Sequence, residues 1–194
     1  MQQYGGIVKL VLIYYHVQAG ELPGKDLLRE NYSSEGGNMN VAIALALWSS
    51  AFGNGELIPV QFTADGDNIS PPLEWECNFE AGSFVLICED PDAPMGTWVH
   101  WVVYNIPGEN RILEEGMPAD NQQDDGTLQG ENSWGNIGYG GPAPPSGKHR
   151  YIFTLYALEG LLHLAPGATA FELREAIEGQ VIEKAEFMGE YTRE

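Results

Sequence analysis

One uninterrupted apolar run of strand length and two longer β-prone runs, each ended by turn-forming residues, constrain this chain more than any other feature. They are Ser83-Phe-Val-Leu-Ile-Cys88, Trp98 to Ile106 and His149 to Leu158, the last two rich in aromatic and β-branched residues. An apolar run too short for a helix and bounded by turns reads as a strand with both faces covered. Leu57 to Thr63 adds a shorter β-prone run, and residues 114–148 read as long loops of Gly, Pro, Asp and Asn. Loops of that length in a compact domain are usually functional or disordered. No internal repeat is visible, so the expectation is a mainly β fold. One helix is expected near the end: Thr169-Ala-Phe-Glu172 fits a capping box, and Leu173, Ile177, Val181, Ala185 and Met188 follow at spacings of three or four, with Gly189 as the stop.

With 194 residues, 43% hydrophobic and 19% charged, the chain is long enough for one domain with a sizeable core. Its formal net charge of −19 argues against nucleic-acid binding, which needs a basic face to release counterions. The same charge argues against docking on an anionic membrane. No apolar run reaches the roughly 18 residues of a membrane span, so no membrane insertion is expected. Ile7 to Tyr15 and Met39 to Trp48 are apolar but lack a basic leader and a small-residue cleavage site. The expected compartment is therefore cytoplasmic, with periplasmic or secreted placement less favoured. Cys77 and Cys88 make no C-x-x-C pair and no disulfide scaffold, and Cys88 reads as a buried small hydrophobe.

Two segments carry the chemistry. Asp90-Pro-Asp-Ala-Pro94 runs on to His100, and Gly140-Gly-Pro-Ala-Pro-Pro-Ser-Gly-Lys-His149 runs on to Arg150 and Tyr151. Each joins a rigid Pro- or Gly-rich loop to a histidine on a strand-like run. Strand alternation puts Trp98, His100, Val102 and Tyr104 on one face, and His149, Tyr151 and Phe153 on one face with Arg150 on the other. Two histidines, each able to titrate near neutral pH, beside such loops suit a preformed pocket for a small anion. Asp90 can favour the charged form of a neighbouring histidine. Asp92 either bonds its own turn or meets Arg150. Backbone N–H groups near Gly140, Gly141 and Pro142 can form an anion nest. The chain has no G-x-S-x-G elbow, P-loop, complete G-x-G-x-x-G or H-E-x-x-H motif. A metal-dependent hydrolase or lyase using His100, His149 and Asp90 is the rival reading, since two His and a carboxylate imitate a metal triad.

Five stretches in order also match a family: Phe62-Thr-Ala-Asp-Gly-Asp-Asn-Ile-Ser-Pro-Pro-Leu-Glu-Trp75, Asp90-Pro-Asp-Ala-Pro94, Thr97-Trp-Val-His-Trp101, Gly138-Tyr-Gly-Gly-Pro142 and His149-Arg-Tyr151. From about Ser49 to the C-terminus the chain resembles the phosphatidylethanolamine-binding proteins, in particular their prokaryotic, Raf-kinase-inhibitor-like branch. The resemblance implies an antiparallel Greek-key β-sandwich with a few peripheral helices, one of them C-terminal. It implies a ligand pocket at Asp90, Pro94, Trp98, His100, Gly141, Pro142, His149 and Tyr151, and a cis bond before Pro94. It further implies a non-enzymatic binding protein without cofactor, whose partner is a small phosphate-type anion or a phosphorylated ligand, with modulation of a phospho-protein one role; a homodimer stays open. Ser49-Ser-Ala-Phe52 resembles the family's opening strand, and residues 1–48 are read as an N-terminal extension without family counterpart ahead of a domain at 49–194. Ala143 stands where many prokaryotic relatives carry Cys, and Met95 to Val99 is shorter than the eukaryotic insert, so kinase inhibition and lipid-headgroup binding are not carried over.

Overall fold

The computed structural model describes residues 44–193. The N-terminal extension up to residue 43 lies outside the described residues. Strands β1 (Leu45–Trp48), β2 (Leu73–Cys77) and β5 (Ile112–Leu113) form a small antiparallel sheet in the order β1-β2-β5. Strands β3 (Ser83–Asp90), β4 (Trp98–Pro107), β6 (Leu128–Glu131), β7 (Gly147–Leu158), β8 (Gly167–Thr169) and β9 (Val181–Arg193) form the large sheet, in the order β8-β6-β4-β3-β7-β9. All its pairings are antiparallel except β6 with β8. The fold is thus mainly β, as the apolar runs imply.

The two sheets meet across one apolar cluster. Leu47, Leu73 and Trp75 from the small sheet pack with Phe84, Leu86, Cys88, Trp101, Tyr151, Phe153 and Phe187 from the large one. A second cluster, on the opposite face of the large sheet, joins Val85, Ile87, Val102 and Tyr104 to Leu173 and Ile177 of helix α1 (Ala170–Ile177). Strand β3 alternates between the two, so its continuous apolar run is buried on both faces. Cys77 and Cys88 are both free thiols, the second buried.

The capping box at α1 forms as expected: Glu172 N–H donates to Thr169 Oγ1, and Thr169 N–H donates to the Glu172 carboxylate at 2.8 Å. The helix, however, ends at Ile177, and the rest of the expected stripe is the 13-residue strand β9. Gly179, at φ 77°, turns the chain, and β9 then pairs with β7 from Leu158↔Val181 to Gly147↔Arg193. Gly189 is no helix stop. A Cβ there would lie 2.5 Å from Ile58 and 2.7 Å from Phe52, so this glycine lets the sheet close on the 52–58 segment.

Three other expectations need correction. Leu57–Thr63 is no strand: it makes one bridge, Leu57↔Glu190, and then a short 3-10 turn at Val60–Phe62 directly after Pro59. The opening strand is Leu45–Trp48 rather than Ser49–Phe52, because the Ser49 hydroxyl accepts from Ala51 N–H and donates to Pro72 C=O, bending the chain out of the sheet. Within the expected loops at 114–148 sits the short strand β6.

Candidate functional site

The site begins with a misfit in the large sheet. Glu89 pairs with Val99 but Cys88 pairs with Trp101, so His100 is an extra residue in β4. Such a β-bulge breaks the two-residue period and re-aims a side chain. Trp101 packs in the inter-sheet cluster with Cys88 and Tyr151, whereas Val102 and Tyr104 belong to the helix-side cluster. His100 lies on the Trp101 side, its ring edge-on to Tyr151 at 5.1 Å between centroids. The expected face of Trp98, His100, Val102 and Tyr104 is therefore split by the bulge.

On β7 the alternation holds. His149, Tyr151 and Phe153 are buried and Arg150 is exposed. Asp90, the last residue of β3, meets His149: Oδ2 lies 2.7 Å from Nδ1, both side chains nearly inaccessible. Its other oxygen accepts Asp92 N–H at 2.8 Å. Asp90 thus both caps its own turn and orients a histidine. Asp92 faces outward to Arg150, accepting from Nε at 2.8 Å, Nη2 at 2.7 Å and the backbone N–H at 3.0 Å. That fork holds the Asp92 carboxyl down at about 2.

The Arg150–Asp92 pair sits at the surface, with the guanidinium half exposed. We expect Arg150→Ala to lower the melting temperature only slightly and to leave the pocket intact, since exposed ion pairs contribute little. The depressed carboxyl fixes the sign of the pH effect. The pair's contribution is present above the ordinary Asp value of 3.8 and fades as pH falls toward about 2. A melt of the variant at pH 7 and pH 3 checks this; a large loss at pH 7 would contradict it.

The second loop closes over the histidines. Gly140 pairs with His100 twice: its N–H donates to His100 C=O at 2.9 Å, and its own C=O lies 2.5 Å from His100 Nδ1. Gly141 N–H donates to Asn68 Oδ1 at 2.7 Å, Ala64 N–H to Pro142 C=O at 3.0 Å, and Tyr139 hydroxyl to Phe62 C=O at 2.8 Å. The Gly140 and Gly141 amides are committed within the protein, so the expected backbone nest lacks these two donors. Pro94 is exposed, and its peptide bond is trans, the form a tertiary amide favours by about 0.5–1 kcal/mol.

One part of the site escaped the motifs, and another stood in a motif without a role assigned to it. Trp134 packs edge-on to both Trp98 (5.4 Å) and His100 (5.0 Å), with 45% of its surface exposed. Buried Asn132 holds that turn, accepting from Trp134 N–H and Asn136 N–H and donating to Gly138 C=O. Gly140 makes room for the indole, since a Cβ there would stand 2.6 Å from the ring. The other part is Asn68, which anchors Gly141 from 73 residues away. Asn68 lies in the matching stretch from Phe62 to Trp75, but nothing in that stretch marks it as the anchor of Gly141.

Electrostatics separate the members of the site. Burial pushes the His100 imidazole below its ordinary 6.5, against the opposing pull of Gly140 C=O and Asp90. Burial and the nearby Asp90 charge push the Tyr151 phenol well above 10, so it keeps its proton. That hydroxyl is buried without a hydrogen-bond partner, as is Trp98 Nε1; Ala143 N–H lies toward Tyr151 but outside bonding geometry. Each histidine engages Nδ1, which leaves Nε2 without a protein partner. Among the described residues no three His, Cys, Asp or Glu side chains stand where they could share a metal ion. A cleft of about 710 Å³ at residues 109–125 lies apart from this site and is lined by neither His nor Cys.

Residues 48–192 match the family described as phosphatidylethanolamine-binding protein. The chain belongs to that family. A UPF0098 protein of Methanothermobacter thermautotrophicus is 49% identical over 148 residues, covering 76% of this chain and 98% of that one. A UPF0098 protein of Archaeoglobus fulgidus is 38% identical over 96% of this chain and 66% of its own length. That match runs beyond the family model, which begins at residue 48. The crystal structure of a phosphatidylethanolamine-binding protein homolog from Chlamydia trachomatis superposes with a TM-score of 0.72 at 43% identity, covering 78% of this chain and 99% of that one. That of Escherichia coli YbcL, called a new member of the mammalian family, gives 0.69 at 28% identity, covering 77% and 99%.

Proposed function

We propose that this chain is a non-enzymatic binding protein whose pocket, around His100, His149, Asp90 and Tyr151, takes a small phosphate-type anion or a phosphorylated ligand. One observation carries the reading: the orphaned, protonated Tyr151 hydroxyl is buried beside two imidazoles whose Nδ1 atoms are already fixed. A buried donor without a partner costs about 1–3 kcal/mol, which a bound acceptor would recover. Relatives named for a phosphate-bearing lipid support the ligand class. The rival metal-dependent hydrolase or lyase finds less support, because Asp90 spends both oxygens on His149 and its own turn. The proposed role is cytoplasmic, as a modulator of a phosphorylated partner; no helix among the described residues is long and apolar enough to cross a membrane.

The test is calorimetric titration with sulfate, beside metal analysis of protein purified without chelator. Saturable sulfate binding, weakened about tenfold or more by Tyr151→Phe through loss of a charge-assisted bond, is the expected result. Binding that ignores Tyr151→Phe would remove the anion pocket. Near-stoichiometric zinc, iron or manganese lost on His100→Ala would favour the rival.

A further inference from the structure

We propose that Arg193, at the end of the last strand, is the cation of the pocket's rim, held in reserve by Asp65 and taken over by an incoming anion. This rests on the anion reading above and adds to it a permanent charge beside the titratable histidines.

Placement comes from the β7–β9 ladder. Tyr191 stands opposite His149, Arg193 opposite Gly147, and Gly189 opposite Tyr151. By the two-residue period, Tyr191 and Arg193 share the face of His149 and Tyr151. Directly opposed Cβ atoms in such a pair stand about 5 Å apart, and diagonal ones about 7–8 Å, within reach of a long side chain. Arg193's direct neighbour is a glycine, and a Cβ at Gly147 would meet nothing within 4 Å. The guanidinium therefore has room to swing toward His149. Its charge already acts on the Tyr151 phenol.

In the ligand-free protein Arg193 is occupied. Nε donates to Asp65 Oδ2 at 2.7 Å, Nη2 donates to Asp65 Oδ1, and Tyr191 hydroxyl also donates to Oδ2, at 2.9 Å. Asp65 sits on the same loop as Ala64 and Asn68, which bond Pro142 and Gly141 of the pocket's second loop. This ion pair lies at the pocket's edge and is about one-third exposed on each side, a weak tie that a stronger acceptor can displace.

Charge makes a cation necessary. The protein carries a net −19, and the buried carboxylate nearest the proposed ligand is Asp90. Among the described residues the other cations are placed elsewhere. Lys148 pairs with Glu190 and Arg150 with Asp92, both on the opposite face of β7; Arg174 pairs with Glu89 and Lys184 with Glu186. Arg111 bonds the backbone carbonyls of Gly108 and Asn110. Arg193 is thus the described cation on the histidine face, and its planar fork matches two oxygens of a tetrahedral oxyanion.

Sulfate titration of the full chain at fixed pH and low salt tests this with opposite signs. Arg193→Gln is expected to weaken sulfate about tenfold, and Arg193→Lys, which keeps charge but loses the fork, by less. Asp65→Asn is expected to tighten it several-fold by freeing Arg193. Arg150→Gln and Asp92→Asn change charge by the same amounts on the outer face, and should move affinity by less than about twofold because exposed charges are screened. If Asp65→Asn weakens sulfate as Arg193→Gln does, the pair is only a pin for the C-terminal strand. If the parent binds sulfate and neither variant changes affinity, the rim cation is refuted while the pocket stands. If the parent does not bind sulfate, both readings fall together.

Discussion

Sulfate affinity is expected to rise as pH falls from about 8 to about 6, the range in which histidines change charge, and removing either histidine is expected to weaken binding. The reason lies in which ring nitrogen carries the proton. His149 Nδ1 faces the Asp90 carboxylate and His100 Nδ1 faces the Gly140 carbonyl, so each Nδ1 must be the donor. A neutral ring then presents a lone pair at Nε2, which repels an anion. Only the protonated ring donates from both nitrogens, so binding an anion takes up a proton and affinity increases with acidity. Burial holds His100 neutral until the pH is below its ordinary 6.5. His100→Ala should therefore cut the gain in affinity below pH 6.5. Sulfate is the right probe, since the second phosphate pKa of about 6 falls inside the window. Ligand-free stability should move the other way. An unfolded His100 binds its proton at higher pH than the folded one, so stability held above 6.5 falls as the solution is acidified below it. A parent protein whose sulfate affinity is flat across the range would remove the histidines as charge carriers.

What was legible in the sequence was local. The capping box needs four consecutive residues, and it formed. The alternation of His149, Arg150 and Tyr151 needs three, and it held. The apolar run in β3 announced a strand covered on both faces because nothing in it is polar enough to face water. The failure beyond Ile177 has a simple origin. Spacings of four suit both a helical turn and every second pair along a strand, so Val181 and Ala185 fit either element. Phe187 decides it. It is the buried hydrophobic side chain of that segment, two beyond Ala185, and it packs with Phe52 and Phe153 across the core.

The site was legible as a set of residue types but not as an arrangement. The motifs supplied both histidines, Asp90 and Tyr151, and these four do come together. The bulge at His100 could not be read from β4 alone, because it exists only against the register of β3. The same holds for the partners of the second loop. Asn68, Asp65 and Trp134 are ordinary loop residues until the fold brings them to Gly141, Arg193 and His100. The backbone nest expected at Gly140 and Gly141 was a reasonable use of two glycines, but here their smallness serves close approach.

That use of glycine leads to the largest structural effect we expect, at Gly141. A Cβ added there would stand 2.7 Å from Asn68 Oδ1, 2.8 Å from the Phe62 carbonyl oxygen and 2.8 Å from the Thr63 carbonyl carbon. Two of those three atoms are backbone, which cannot rotate out of the way. The 62–68 loop has to move, and with it go the bonds from Gly141 N–H to Asn68, from Ala64 N–H to Pro142 and from Tyr139 hydroxyl to Phe62. Overpacking and the polar groups left unpaired together cost about 2–4 kcal/mol. For a chain of this size that lowers the melting temperature by about 5–15 °C. The displaced loop also carries Asp65, and the second loop carries the Gly140 carbonyl that fixes His100. Sulfate binding should therefore suffer even at temperatures where the variant stays folded. Gly160→Ala is the matched control: a Cβ there meets nothing within 4 Å, so the change should fall within about 0.5 kcal/mol of the parent. Gly141→Ala melting with the parent would show that the two loops are free to part. The histidines would then be held by the sheet alone.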